Sequence, residues 1–229
     1  MKRLFVFATM MVVGLSVFAQ SSETKENWRI RLRGVAVIPQ ESATIGVIGG
    51  DAKISNSFIP ELDFTYFFDR HFAAELILGT TRHKVSTVSS DLSAIGAGSD
   101  ANVDLGKVWL LPPTLTLQYH YPVGKFNPYI GAGINYTIFY SADQGPVVKD
   151  IEYKNKFAFA AQAGFDIDIS KKMFVNVDLK KLFLSTTATV DASNLTPAGS
   201  PQLSPVLQNI NADVKINPWL LGVGIGYKF

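Results

Sequence analysis

The sequence predicts an all-β fold, an eight-stranded antiparallel up-and-down transmembrane β-barrel with short periplasmic turns and long extracellular loops. Three observations carry that prediction. Oily and polar residues alternate with period two in segment after segment, the links between segments alternate short and long, and a leader-like N-terminus precedes them. The chain has 229 residues, 47% of them hydrophobic, yet nothing after the leader is long and apolar enough for a transmembrane helix, so strands must cover the oily surface.

The chain opens with Lys2 and Arg3, an apolar run from Leu4 to Phe18, and the small residues that end Val17-Phe18-Ala19. This is the pattern of a cleavable signal peptide over residues 1–19, leaving a barrel over residues 20–229. A membrane anchor is the alternative, but the run falls short of the roughly 20 apolar residues that span a bilayer and no basic stop-transfer segment follows. Cysteine is absent, which removes disulfides, thiolate metal sites, cysteine nucleophiles and a lipidated cysteine after the leader. Of 21 basic residues two lie in the leader, so the rest balance the 19 acidic ones and no nucleic-acid partner is expected.

The first segment sets Trp28, Ile30 and Leu32 on one face against Arg29, Arg31 and Arg33 on the other. No soluble core accommodates three arginines side by side. The second opposes Leu62, Phe64, Tyr66 and Phe68 to Glu61, Asp63 and Thr65, and the third opposes Phe72, Ala74, Leu76 and Leu78 to Glu75, Ile77 and Gly79. In the fourth, Leu115, Leu117, Tyr119 and Tyr121 stand against Thr114, Thr116, Gln118 and His120. In the fifth, Ile130, Ala132, Ile134 and Tyr136 stand against Gly131, Gly133, Asn135 and Thr137. The sixth opposes Phe165, Ile167 and Ile169 to Gly164, Asp166 and Asp168, and the seventh opposes Val175, Val177 and Leu179 to Asn176, Asp178 and Lys180. The eighth runs from Trp219 to Phe229, with Gly222, Gly224, Gly226 and Lys228 on its polar side.

Tight turns are predicted around Asp69-Arg70-His71, Val123-Gly124-Lys125 and Ser170-Lys171-Lys172. The intervening links, from Gln40 to Ser57, Lys84 to Gly106, Ser141 to Lys156 and Ser185 to Asn211, are long and polar. Short turns at one end and long loops at the other describe a barrel in the outer membrane of a Gram-negative bacterium, with the turns in the periplasm. A soluble lipocalin-like barrel has the same strand count with its oily residues inside. Three features favour the membrane. Aromatics (Tyr66, Phe68, Phe72, Tyr119, Tyr121, Tyr227, Phe229) gather near the short turns, the leader exports the chain, and glycines alternate on the polar face of the fifth and eighth strands, where a narrow lumen needs small residues.

Certain stretches resemble the OmpW family: Leu111-Pro112-Pro113-Thr114-Leu115 leading to Gln118-Tyr119-His120, then Phe126-Asn127-Pro128-Tyr129-Ile130-Gly131-Ala132-Gly133-Ile134-Asn135-Tyr136. Pro60 to Phe68, Asn176-Val177-Asp178, and Asn217-Pro218-Trp219 running to Tyr227-Lys228-Phe229 add to the likeness, which covers essentially the whole mature chain. The resemblance implies an eight-stranded barrel that passes or binds small hydrophobic molecules. The links from Gln40 to Ser57 and from Ser185 to Asn211 lie outside it.

Strand direction assigns each inward residue a height. Near the periplasm the lumen is charged, with Arg29, Arg31, Arg33, Glu61, Asp63, Glu75, Asp166 and Asp178 expected to form a plug, joined by Gln118, His120, Asp168, Asn176 and Lys228. Charges of both signs on neighbouring strands must pair, and a barrel of this size is only just wide enough for its own side chains, so no continuous water channel is expected. Nearer the outside the inward set is apolar: Val37, Ile59, Leu110, Phe139, Leu182, Leu184, Ile216 and Leu220, with Val35 and Ile77. Two readings of this layer stand, a packed cap without function or a vestibule for a small apolar ligand, and the resemblance points to the vestibule. Pro112 and Pro113 donate no ladder hydrogen bonds and mark a weak seam through which a ligand could leave sideways into lipid.

The glycine runs Gly131-Ala132-Gly133 and Gly222 to Gly226 lack nucleotide-loop spacing. His71, His83 and His120 are scattered, without ligand spacing, so no metal or cofactor is expected. His83, Ser89 and Asp91 near the outer rim are the components of an acyltransferase, but no nucleophile elbow accompanies them, and no enzyme is expected. The expected partners are outer-membrane lipid and lipopolysaccharide, the barrel-assembly machinery through the C-terminal Phe229, and a small hydrophobic ligand. A structural, adhesive or receptor barrel that acts through its extracellular loops is the alternative to transport.

Overall fold

The computed structural model describes residues 27–93, 98–146, 148–196, 199 and 203–229; the expected leader, 1–19, lies outside them. Among the described residues fifteen strands run in chain order. They are β1 (Trp28–Ile38), β2 (Ser42–Ile45), β3 (Asp51–Ile54), β4 (Ser57–Phe67), β5 (Phe72–Gly79), β6 (Thr81–Ser90), β7 (Ala101–Leu111) and β8 (Thr114–His120), then β9 (Phe126–Gln144), β10 (Asp150–Tyr153), β11 (Lys156–Asp168), β12 (Met173–Phe183), β13 (Ser185–Asp191), β14 (Ile210–Lys215) and β15 (Trp219–Lys228). A 3-10 turn at Ser193–Leu195 and one short helix, α1 (Ser204–Leu207), lie between β13 and β14.

Eight of these strands close a ring in the order β1, β4, β5, β8, β9, β11, β12, β15, every neighbouring pair antiparallel. The ring closes where Arg29 faces Lys228 and Ile38 faces Trp219, with Phe229 N donating to Trp28 O at 3.0 Å. Closure leaves no strand edge in the barrel, so its backbone groups are satisfied without water, the condition for residing in lipid.

The side chains follow the predicted alternation. Leu117 is 65% exposed and Ile130 64%, whereas Arg31 and Asp63 are 0% exposed. Glycines on the inner face make the crowding tolerable: a Cβ on Gly226 would come within 2.1 Å of the Phe174 ring, and one on Gly164 within 2.5 Å of the Tyr129 hydroxyl.

The long links differ from the expectation of polar loops. They continue the barrel upward as ordered sheet. β13, β14, β2 and β10 form a four-stranded sheet, and the upper part of β9 continues into β7, β6 and β3. The physical reason lies along a single line of residues. From β12 into β13 the inward positions read Asn176, Asp178 and Lys180, then Leu182, Leu184, Thr186, Ala188 and Val190; the outward ones read Val177, Leu179, Lys181 and Phe183, then Ser185, Thr187 and Thr189. Alternation persists but its polarity inverts. Below the inversion the strands face lipid with oil and enclose charge, and above it they face water with polar groups and enclose oil. β15 and β14 invert at the same level, between Gly222 and Leu220 inside and between Trp219 and Asn217 outside.

Candidate functional site

The lower lumen is a network of buried ions. Arg29 Nη1 donates to Asp166 Oδ2 at 2.9 Å, Arg31 Nη1 to Glu75 Oε1 at 2.8 Å and Arg31 Nη2 to Thr65 Oγ1 at 3.0 Å. Arg33 Nη2 is 2.9 Å from both Glu61 Oε1 and Asp63 Oδ2, and its other terminal nitrogen is 3.6 Å from Asp178. Glu75 accepts from Gln118 and Gln162 at 2.8 Å each, while Asp178 accepts from Gln162 at 2.7 Å and from the Tyr129 hydroxyl at 2.8 Å. The planar guanidinium fork suits this many-partner geometry, and each buried charge has opposite charges beside it, as burial requires.

All eight residues assigned to the plug from sequence lie in this network. Only part of the pairing is between adjacent strands: Arg33 pairs with Glu61 and Asp63 on neighbouring β4, whereas Arg29 reaches from β1 to β11 and Arg31 from β1 to β5. Asp168 and Lys228 form a separate pair at the periplasmic rim, 2.7 Å apart. Several members were missed. Lys180 is 2% exposed and stands 3.7 Å from Glu61 and 3.6 Å from Asp178. Gln162, Tyr129, Phe67 and Phe174 also point inward, and Arg29 lies 3.9 Å from the centre of the Phe67 ring. Extending the period-two frame by one step along each strand finds Gln162, Tyr129, Phe67 and Phe174, whereas Lys180 already stands on the polar face of the seventh segment.

Above the plug the lumen holds a cavity of about 110 Å³. This is of the order of the ~150 Å³ apolar cavity that stays dry and accepts a benzene ring in another protein. Val37, Ile59, Leu110, Phe139, Leu182, Leu184, Ile216 and Leu220, the eight residues placed in the upper layer from sequence, all line it. The lining also continues upward into the two extracellular sheets, through Ile45, Ala52, Val85, Val148, Ala188 and Ile210, to Leu92 and Leu207 at the top. These were hidden in segments read as polar loops, although Ile210, Ala212, Val214 and Ile216 alternate with Asn211, Asp213 and Lys215 as plainly as any barrel strand. The polar members are few: Glu61 and Lys180 at the floor, His83 and several threonines in the wall.

The wall is interrupted at the cavity's height. Pairing of β5 with β8 stops at Ile77 opposite Thr114, and pairing of β6 with β7 starts at Thr81 opposite Leu110, so between them Leu78 to Thr80 and Leu111 to Pro113 form no ladder with each other. Leu78 and Gly79 stay paired to β4, Leu111 stays paired to β9, and the Thr80 hydroxyl donates to Leu110 O at 3.1 Å. Gly79 and Pro112 line the cavity there. On the other side of the prolines the chain stays attached to β9: Tyr136 N donates to Pro113 O at 3.0 Å and Asn135 Nδ2 to Pro112 O at 3.0 Å.

Of the residues of the acyltransferase alternative, His83 is buried while Ser89 and Asp91 are exposed. His83 Nδ1 donates to Ser55 O at 2.6 Å and its Nε2 accepts from Thr81 Oγ1 at 2.9 Å, whereas Asp91 accepts from the Ser93 backbone. Burial holds the His83 pKa below its ordinary value, the contact with Ser55 opposing that shift. His120 lies in the lumen between Gln118 and Asn127, and His71 lies at a periplasmic turn.

Residues 26–229 match the model of the OmpW family. Among proteins of known sequence the chain is 43% identical to the outer-membrane protein y4mB of Sinorhizobium fredii, with 88% of this chain and 80% of that protein aligned. It is 30% identical to the dibenzothiophene metabolism operon protein PahQ of Pseudomonas aeruginosa, with 91% and 90% aligned. Among solved structures, the crystal structure of the outer membrane protein OprG from Pseudomonas aeruginosa superposes with a TM-score of 0.72 at 25% identity, covering 88% of this chain and 95% of that one. A closed eight-stranded barrel, oily outside and charged within, together with a family match over the whole described chain, makes this protein a member of the OmpW family, located in the outer membrane.

Proposed function

We propose that the barrel admits small hydrophobic molecules from outside the cell into the upper cavity and releases them sideways into the membrane through the wall beside Pro112 and Pro113. The observation that carries this reading is the vertical order of the lumen, an apolar cavity directly above a floor of paired charges. An apolar solute gains about 25 cal/mol for each Å² it removes from water, and so partitions into the cavity. Continuing downward it would have to separate buried ion pairs, which costs several kcal/mol for each ion left uncompensated. The wall offers less resistance, because no ladder joins the segment at Gly79 to the segment at Pro112. The relative named for dibenzothiophene metabolism supports an apolar aromatic heterocycle as the test solute.

The test is transfer of dibenzothiophene from solution into proteoliposomes by the wild type and by Leu182→Trp, which places an indole ring in the cavity where a smaller aliphatic side chain stood. Several-fold slower transfer by the variant, with neither protein conducting ions, is the expected result. Equal transfer by both, or steady ion conductance through the wild type, would contradict the reading.

A further inference from the structure

The cavity floor is not apolar. Lys180 is almost fully buried, and its Nζ reaches Glu61 Oε1 only at 3.7 Å and Asp178 Oδ1 at 3.6 Å. Those are ion-pair separations, beyond hydrogen-bond reach. Among the described residues no hydrogen bond satisfies any of the three ammonium protons. Glu61 gives one oxygen, Oε1, to Arg33 at 2.9 Å, and its side chain faces the cavity beside Lys180. The threonines nearest this floor already spend their protons, Thr137 on Asn135 at 2.7 Å and Thr114 on the Pro112 carbonyl at 3.0 Å. One donor and one acceptor therefore sit side by side at the bottom of an otherwise oily chamber.

We infer that Lys180 and Glu61 form an end-site that selects hydrophobic molecules bearing one neutral group able both to donate and to accept a hydrogen bond, a hydroxyl above all. A hydroxyl oxygen accepts from the Lys180 ammonium while its proton goes to the Glu61 carboxylate, and the alkyl or aryl remainder stands upward between Ile59, Leu182 and Leu220. The charge of the floor rejects ionic heads. At the floor one carboxylate, Glu61, stands beside one ammonium, Lys180, so an anionic head would face Glu61 and lose there what it gains from Lys180. An ammonium head would meet the Lys180 ammonium directly. A plain hydrocarbon fills the chamber but leaves both polar groups of the floor unserved, and a buried donor without a partner is costly. This selection rests on the cavity's taking hydrophobic solutes as proposed above.

The test uses the full-length mature barrel in lipid nanodiscs with dibenzothiophene as a fluorescent occupant. It is displaced by 1-octanol, n-octane, octanoate or octylamine, with concentrations expressed as mole fraction in the bilayer. The expected result is displacement by 1-octanol at a roughly ten-fold lower mole fraction than by n-octane, the worth of about one well-placed hydrogen bond to a charged group. Octanoate and octylamine should both be weaker than 1-octanol. In Lys180→Met and Glu61→Gln the ratio of 1-octanol to n-octane should fall towards one. Equal potency of 1-octanol and n-octane in the wild type, or octanoate as the strongest displacer, overturns the inference while leaving the cavity reading intact. Failure of dibenzothiophene to bind at all overturns both. The wild-type comparison stands on its own should either variant fail to insert.

Discussion

At Gly226 of β15 the inner wall of the barrel leaves room for a ring instead of a side chain. Phe174 is wholly buried and its ring tip lies 2.1 Å from where a Cβ on Gly226 would stand. Gly226→Ala should therefore destabilise the barrel by about 1–3 kcal/mol, the usual cost of overpacking, and Phe174→Leu in the same chain should recover part of the loss. Urea unfolding of vesicle-inserted protein checks this; simple additivity of the two substitutions would show that the clash is relieved elsewhere. At this scale the sequence was largely legible, because three arginines facing one way can be tolerated only beside acids, and parity alone put Glu61, Asp63 and Glu75 on that side. The partners were not legible. Parity says that Arg31 points inward, but only the barrel's diameter decides that it crosses to Glu75, 2.8 Å away, and passes Asp63 at 3.6 Å. Lys180 escaped for a different reason: it was recognised on the polar face, yet it sits at the boundary between charged and oily layers, where height assigned by counting from a turn is least certain.

The strands carry the second lesson, in their inversion of polarity. Ladder and alternation continue from β12 to β13 while the solvent outside changes from lipid to water, so the same period-two rule gives opposite faces at the two levels. Reading polarity instead of parity is what turned Ser185 to Asn211 into a loop. β6 shows the same arrangement, with Arg82 and Lys84 exposed and His83, Val85 and Thr87 turned inward. Arg82 is the first charged outward residue above the oily band, so His83 lies beyond the membrane-spanning segment. Its pKa is depressed by burial relative to the unfolded value near 6.5, so its neutral form contributes stability that is complete above that pH and is lost as the pH falls below it. Protonation also removes the acceptor that Nε2 offers to Thr81. Proteolysis of the β6 and β7 segment should accordingly quicken as pH falls from about 7.5 to 5.5, and His83→Gln should flatten that dependence. An unchanged pH profile in the variant would remove His83 from the explanation.

For the whole molecule the claim is that lipid is held outside, charge inside and oil above the charge. Trp28 and Trp219 face outward near opposite ends of the oily band, and Trp109 packs with Tyr140 on the outer surface, ring centres 6.3 Å apart. Lipids brominated near the headgroup should quench these tryptophans more than lipids brominated at the chain ends, as an interfacial belt requires; a soluble barrel with buried tryptophans would show no quenching from either. The most direct test of the central claim is a crystal structure of the protein with a bromoalkane diffused into it, read by bromine anomalous scattering. The account predicts a peak in the chamber above Lys180, between Ile59, Leu182 and Leu220, and none below Arg33. Bromine found among the charged residues of the lower lumen, or confined to the outer surface of the barrel with the chamber closed by protein, would contradict it.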